Sequence, residues 1–258
     1  MVGGGINFFS NGGSIDAFAL TWPDGGAEPV RLPQDDGETA SALRVNDAGL
    51  IIGNEAPLAS LNATRAVIWT PGTDGYSFHR LGELDGGSNS DASDLDEEGR
   101  VVGWSTDARG NEVAVLWRPG PSGYAVEILA VPFASGWCSR ASAISERGEI
   151  AGTCASPVQP RVGVLWKIDG DAVKFEQVFD PLQGFATSEV FALNDSDLAV
   201  GSSGDSDQSR ATFWRIGVLS TTARCRARLR RHRGTAFDST QGSLRDTREC
   251  PKLRRLVP

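Results

Sequence analysis

The sequence predicts an all-β fold: a β-propeller of four-stranded blades, about five of them, with the terminal ones incomplete. Three observations carry this: a tandem repeat of roughly 49 residues, strands apolar on both faces, and no helical periodicity anywhere. The segments ALRVNDAGLIIG (42–53), ASDLDEEGRVVG (92–103), ASAISERGEIAG (141–152) and FALNDSDLAVG (191–201) align around one turn. Their closing glycines, Gly53, Gly103, Gly152 and Gly201, lie 50, 49 and 49 residues apart. A second ladder interleaves with the first. Trp22, Trp69, Trp117, Trp166 and Trp214 are spaced by 47, 48, 49 and 48, and each ends a segment such as AVIW (66–69).

Each unit reads as four short strands. Strand a is a small-residue segment such as SALRVN (41–46), and a turn such as Asp47-Ala48-Gly49 follows, its Gly supplying positive φ. Strand b is the apolar LIIG or RVVG, and strand c is AVIW or AVLW. Pro-Gly or Asp-Gly turns (Pro71-Gly72, Pro119-Gly120, Asp169-Gly170) lead into strand d. In AVIW, Ala66 and Ile68 point to one side and Val67 and Trp69 to the other, so both faces demand cover. A blade between two blades provides it, and closing the ring protects the sheet edges. An open solenoid is the alternative architecture. With strand a innermost, Ala42, Ala92 and Ala141 suit a crowded axis. The b–c and d–a loops, such as 105–112 and 85–91, then share the face where propeller ligands usually collect.

Charge divides the chain into two regions. Residues 1–217, the repeat array, hold 14 basic and 30 acidic residues, whereas 218–258 hold 11 and 3. An acidic body repels nucleic acid and anionic membranes, so neither is expected as a partner of the array. No run of about 18 apolar residues offers a membrane span. The tail (TTARCRARLRRHRG onward) breaks every regularity and reads as a disordered or aberrant extension. The start, MVGGGINFFSNGG, lacks the charged and apolar regions of a secretory signal. The first repeat lacks strand a and the fifth lacks an evident strand d, so the chain is expected to be a fragment of a longer product.

The stretch LGELDGGSNSDASDLDEEGRVVGWSTDARGNEVAVLW (81–117) resembles the HAF repeat family, described as probable extracellular repeats. The resemblance spans about 1–217. No repeat keeps the family's His before the Ala, and its Asn survives only as Asn46 and Asn194. It implies a repeat fold and an extracellular or periplasmic location, and no activity.

Chemistry-bearing residues are sparse. With two His in the chain, His79 on an outer strand and His232 in the tail, no Ser-His-Asp set is visible. No catalytic, cofactor or metal site is assigned. Asp85, Asp91, Asp94, Asp96, Glu97 and Glu98 crowd one segment, and Asp195, Asp197, Asp205 and Asp207 another. Both groups read as solvated turns, with Ca²⁺ as the alternative. A carboxylate-based glycosidase would first implicate Asp91 and Glu189, near the starts of two a strands. Trp104 and Trp137 stand outside the tryptophan ladder and are assigned to the ligand face, exposed for stacking on sugar or peptide. The expectation is thus a non-enzymatic, monomeric, extracellular or surface protein with a carbohydrate or protein ligand. A secreted carbohydrate-active enzyme is the alternative.

Cys138 and Cys154 flank one a–b turn. Regular pairing outward from Ser145 and Glu149 sets Cys154 against Arg140 and Cys138 against Ser156. The cysteines are then diagonal neighbours with Cα atoms about 7–8 Å apart, just beyond disulfide reach unless a bulge or twist closes the gap. Disulfide and free thiols both stay open at this point.

Overall fold

The a–b turn is built in the same way four times. The side-chain oxygen of Asn46, Asp96, Ser145 or Asn194 accepts the N–H four residues on, from Leu50, Arg100, Glu149 or Leu198, at 2.9, 2.9, 3.1 and 3.1 Å. The third residue after the acceptor is left-handed, as Gly49, Gly99 and Gly148 at φ of 80°, 75° and 73°. Asp197 takes that position in the last repeat at φ 62°. Each turn therefore forces a tight hairpin between strands a and b.

A computed structural model of the chain describes residues 2–8, 15–22, 28–58, 60, 63–131, 137–156 and 159–217. They form five antiparallel sheets in chain order, with no helix among the described residues. The first holds β1 (Val2–Phe8), β2 (Ile15–Thr21) and β3 (Val30–Arg31). The second holds β4 (Glu38–Val45), β5 (Ile51–Pro57), β6 (Arg65–Gly72) and β7 (Gly75–Arg80). The third holds β8 (Ser90–Leu95), β9 (Val101–Thr106), β10 (Glu112–Gly120) and β11 (Gly123–Ile128). The fourth holds β12 (Trp137–Ile144), β13 (Glu149–Ser156), β14 (Gln159–Asp169) and β15 (Ala172–Phe179). The fifth holds β16 (Thr187–Asn194), β17 (Leu198–Gly204) and β18 (Ser209–Arg215). Strands pair strictly in sequence within each sheet, so strands a to d run in order across a complete unit. No helix among these residues is long and apolar enough to cross a membrane. The chain divides into Met1–Val218 and Leu219–Pro258, and the second unit, which contains the basic tail, lies outside the described residues.

The core lies between sheets. Ala66 and Ile68 pack in one cluster with Ala92, Val101 and Trp117 of the third sheet, while Val67 and Trp69 pack in another with Ala19 and Leu32 of the first. Trp69, Trp117 and Trp166 are fully buried. Their indole N–H groups donate to the carbonyls of Pro33, Gly82 and Ala130 at 2.7, 2.9 and 2.8 Å, and Trp214 does the same to Asp180 at 2.8 Å. Each donation satisfies the polar edge of a buried ring and pins the d–a connection of its own sheet.

The glycine ladder has an equally local cause. A Cβ on Gly103 would lie 2.0 Å from the Asp91 carbonyl oxygen and 3.0 Å from the Trp117 ring. Gly53, Gly152 and Gly201 meet the carbonyls of Ser41, Arg140 and Glu189 in the same way, at 1.9, 2.3 and 1.9 Å. That close approach accompanies a β-bulge in every strand a, where the register slips between Ala42 and Arg44, Ala92 and Asp94, Ala141 and Ala143, and Val190 and Ala192.

These bulges correct the register read for the cysteines. Ile144 opposes Ile150 as expected, but the slip at Ser142 and another at Ser139 bring Cys138 directly opposite Cys154. Cys154 is buried and disulfide-bonded. The extra residue of each bulge removes the diagonal offset that regular pairing would leave.

Candidate functional site

Because strands a and b pair in the same bulged register in four sheets, equivalent positions can be compared around the array. Ser41, Asp91, Arg140 and Glu189 are equivalent, each supplying the carbonyl that faces the strand b glycine. The bulged residues Leu43, Ser93, Ser142 and Phe191 are equivalent too. The tryptophans, glycines and small residues that make the core hardly vary, whereas these two inner rows change between repeats, with Ser93 and Ser142 the one repeated residue. A cavity of about 540 Å³ opens on them, lined by Arg44, Ser93, Arg140, Ser142, Glu189 and Phe191, with Glu112, Thr153, Arg161 and Val190 completing the wall. A larger hollow of about 770 Å³ lies at the flank, between the 30–38 connection and the β6–β7 turn. It draws on one turn and one loop, so the inner cavity, fed by four sheets, is the better candidate.

The inner cavity is lined by charges held in pairs. Arg161 Nη1 donates to Glu189 Oε1, and Arg44 Nε lies 3.7 Å from Asp94 Oδ1. Asp91 Oδ2 accepts from Asn54 Nδ2 at 3.0 Å, while Asn54 Oδ1 accepts the Ala92 N–H at 3.0 Å. Burial pushes the Asp91 carboxyl above its ordinary range, against the opposing pull of Arg140 and the Asn54 hydrogen bond. Burial likewise raises Asp94, against the Ile144 N–H and Arg44. Asp91 and Glu189 thus sit in the same row of strand a, one buried with a raised pKa and one ion-paired, with Arg140 between them in the row.

Two residues assigned to the ligand face behave otherwise. Trp104 is 9% exposed, so it is not an open stacking platform. It follows Gly103 on β9, and the Arg140 guanidinium lies over its ring, 5.8 Å from the centroid. A cation on the open face of the ring takes the place a ligand would need. Trp137 begins β12, and its side chain lies outside the described residues. The exposed aromatic at the cavity is instead Phe191, 57% exposed. Its signal in the sequence is that Ser93 and Ser142 precede it at the equivalent place.

The acidic segments are structural rather than merely solvated. Asp96 is fully buried and accepts from Arg100 Nε at 2.5 Å, while its backbone carbonyl accepts from Asn46 Nδ2 at 3.0 Å. The Asp47 N–H donates to Glu97 Oε1 at 2.9 Å, the Glu97 N–H to Glu146 Oε2 at 3.0 Å, and the Glu146 N–H to Asp195 Oδ1 at 2.9 Å. Successive turns are thereby strapped together by carboxylates, each group accepting from the repeat before it. Among the described residues no cluster of three or more His, Cys, Asp or Glu is arranged to hold a metal ion. His79 lies exposed on β7, as expected for an outer strand.

No family model matches the sequence, and no curated protein matches it. Among solved structures the fold is similar to the apo form of prolyl oligopeptidase B from Galerina marginata, with a TM-score of 0.60 and 7% identity over 84% of this chain. The chain spans 31% of the length of that protein, and at this identity the likeness concerns the fold alone.

Proposed function

We propose that the chain is a non-enzymatic β-propeller repeat protein of the HAF class, working outside the cell or in the periplasm. In this reading it binds a polar ligand, an oligosaccharide before a peptide, in the inner cavity. One observation carries the reading: equivalent positions on the inner strands set Ser93, Arg140, Ser142, Glu189 and Phe191, unlike in chemistry, around one cavity. A binding site needs unlike groups around one ligand. Arg140, Glu189 and Ser142 offer donors and acceptors, and the exposed Phe191 ring offers a face on which a sugar stacks.

A glycan array with a parallel hydrolysis screen tests the reading on one preparation. Arg140→Ala and Phe191→Ala should each weaken glycan binding about tenfold or more while leaving the denaturation midpoint nearly unchanged. Binding to no glycan would move the site to peptides. Turnover abolished by Asp91→Asn would replace the reading with the second one, a carboxylate-based glycosidase. That second reading rests on Asp91 and Glu189 sharing one row of strand a, Asp91 with its carboxyl pKa raised by burial and Glu189 ion-paired with Arg161.

A further inference from the structure

The face that the second sheet turns to the first ends in a charged row. Ala40 lies opposite Glu55 and Glu55 opposite Arg65, with Glu38 two residues before Ala40, so Glu38, Glu55 and Arg65 share one face of β4, β5 and β6. Ala40 packs with Ala19 of the first sheet, which makes this the inward face. The Glu55 side chain is fully buried and that of Glu38 is 14% exposed. Each carboxylate has one oxygen engaged. Arg65 Nη1 lies 3.4 Å from Glu38 Oε1, and Arg80 Nε donates to Glu55 Oε1 while its Nη2 reaches Asp35 Oδ2 at 2.7 Å.

The second oxygens, Glu38 Oε2 and Glu55 Oε2, are buried and accept no hydrogen bond. A third oxygen joins them. Gln34 Nε2 donates to the carbonyls of Ala17 and Glu38 at 3.4 and 2.6 Å, which fixes the amide, so its buried and unpartnered atom is Oε1. A buried acceptor without a donor is costly, and here three belong to one bonded network.

Positive charge is what the place is short of. Burial foremost holds the Glu55 carboxyl above its ordinary range, against the Arg80 hydrogen bond and charge, and Asp35 and Glu38 add to the rise. The flank hollow of about 770 Å³ opens on Gln34 and Glu38, and Asp35, Asp36, Asp74 and Arg31 also line it. With Glu38 and Glu55, five carboxylates there face the three guanidiniums of Arg31, Arg65 and Arg80, a surplus of two negative charges. A mouth of this sign gathers cations.

We propose that Gln34 Oε1, Glu38 Oε2 and Glu55 Oε2 are ligands of one Ca²⁺ ion, which enters through the flank hollow and completes its shell with water. A hard divalent cation takes carboxylate and amide oxygens together, and its charge matches the surplus. Two carboxylates and an amide make a different set from three grouped His, Cys, Asp or Glu, which the described residues do not offer. The ion ties the 30–38 connection to β4 and β5, apart from the inner cavity.

Calorimetric titration of the chelator-stripped full chain with Ca²⁺, beside its urea midpoint, tests this. One ion per chain and a midpoint that rises with Ca²⁺ are expected, since the ion binds the folded state. Glu38→Gln keeps the side chain's size and should weaken binding about tenfold or more. Glu98→Gln, at an exposed carboxylate of the β8–β9 turn, should bind as the parent does. A parent chain that takes up no Ca²⁺ overturns the proposal, and water then serves the three oxygens. So does a midpoint that Na⁺ raises as far as Ca²⁺ at equal ionic strength, or binding that Glu38→Gln leaves intact. If Glu38→Gln fails to fold, Gln34→Met, which removes the amide oxygen, should show the same weakening, and unchanged binding there overturns the site.

Discussion

The third and fifth sheets carry nearly the same pattern and live in different surroundings. In the third, Leu116 and Trp117 follow each other on strand c and both are fully buried. In the fifth, Phe213 is 68% exposed and Trp214 is half-buried. The sequence of a repeat fixes its strands, its turn and its tryptophan hydrogen bond, but its burial comes from the neighbours. Stability in such an array is therefore a sum over interfaces, and identical substitutions should have position-dependent costs.

Trp117→Ala tests this most severely. It removes a fully buried indole and its hydrogen bond to the Gly82 carbonyl, so a loss of about 3–5 kcal/mol is expected from urea denaturation. Trp214→Ala keeps the same geometry, with an indole N–H bonded to Asp180 and a tilted contact to Phe179 at 5.4 Å, but only half the burial. Roughly half the loss is expected there. Equal losses at the two sites would break the comparison.

The next pair is Leu116 and Phe213. Leu116→Ala opens a cavity between the third and fourth sheets and should lower stability by about 2–4 kcal/mol. Phe213→Ala should stay within about 0.5 kcal/mol of the parent, as surface changes do. A large loss at Phe213 would break the comparison, since it would mean that the fifth sheet is covered in solution.

What the sequence revealed and what it concealed follow one division. The tryptophan and glycine ladders are sequence-local, one residue type for one geometric demand, and they were legible at once. So was the all-β class, because every apolar run is short and ends in a turn. The bulges were not legible, since Leu43, Ser93, Ser142 and Phe191 show no common residue type; only the Cβ-free approach at Gly53, Gly103, Gly152 and Gly201 betrays them. Missing them displaced Cys138 from Cys154 by a diagonal step. Acidic density misled for a related reason. Asp96 and Ser145 stand where Asn46 and Asn194 do and accept the same turn N–H, so a carboxylate that looks solvated is a hinge-pin of its hairpin. Trp104 looked open because it follows the ladder glycine, and its cover, Arg140, arrives from the next repeat.

The carboxyls of the third sheet sharpen the contrast through pH. Asp91, Asp94 and Asp96 all have pKa values raised, foremost by burial. A carboxyl whose folded pKa lies above its unfolded value binds its proton more tightly in the folded chain. Its contribution to stability is complete below the unfolded value and is lost as pH rises through the folded one. Denaturation midpoints followed from about pH 4 to pH 7 should therefore fall with rising pH in this window. Asp91→Asn keeps a polar partner for Asn54 without the charge, so it should raise the midpoint at neutral pH and flatten the profile. A profile as steep as the parent's would show that Asp91 does not contribute to it.

The smallest expected effect concerns the one turn that departs from the glycine rule. Gly49, Gly99 and Gly148 take the left-handed position in three turns, and Asp197 takes it in the fourth at φ 62°. A side chain there costs about 1 kcal/mol relative to glycine, somewhat less for Asp, which tolerates this region better than most. Against that, Asp197 Oδ1 accepts from Arg147 Nη2 of the preceding repeat, an exposed pair that solvent screens. Asp197→Gly exchanges the second term for the first, and a net gain of about 0.5 kcal/mol in the urea midpoint is expected. The reverse change, Gly99→Asp, lacks any compensation: its Cβ would lie 3.0 Å from Leu50 Cδ1 of the neighbouring sheet at a φ of 75°. It should cost more than Asp197→Gly gains, since the left-handed backbone and the contact with Leu50 oppose it together. If Asp197→Gly instead lowers stability, the strap to Arg147 outweighs the backbone term, and the last interface is held by its turns more than by its core.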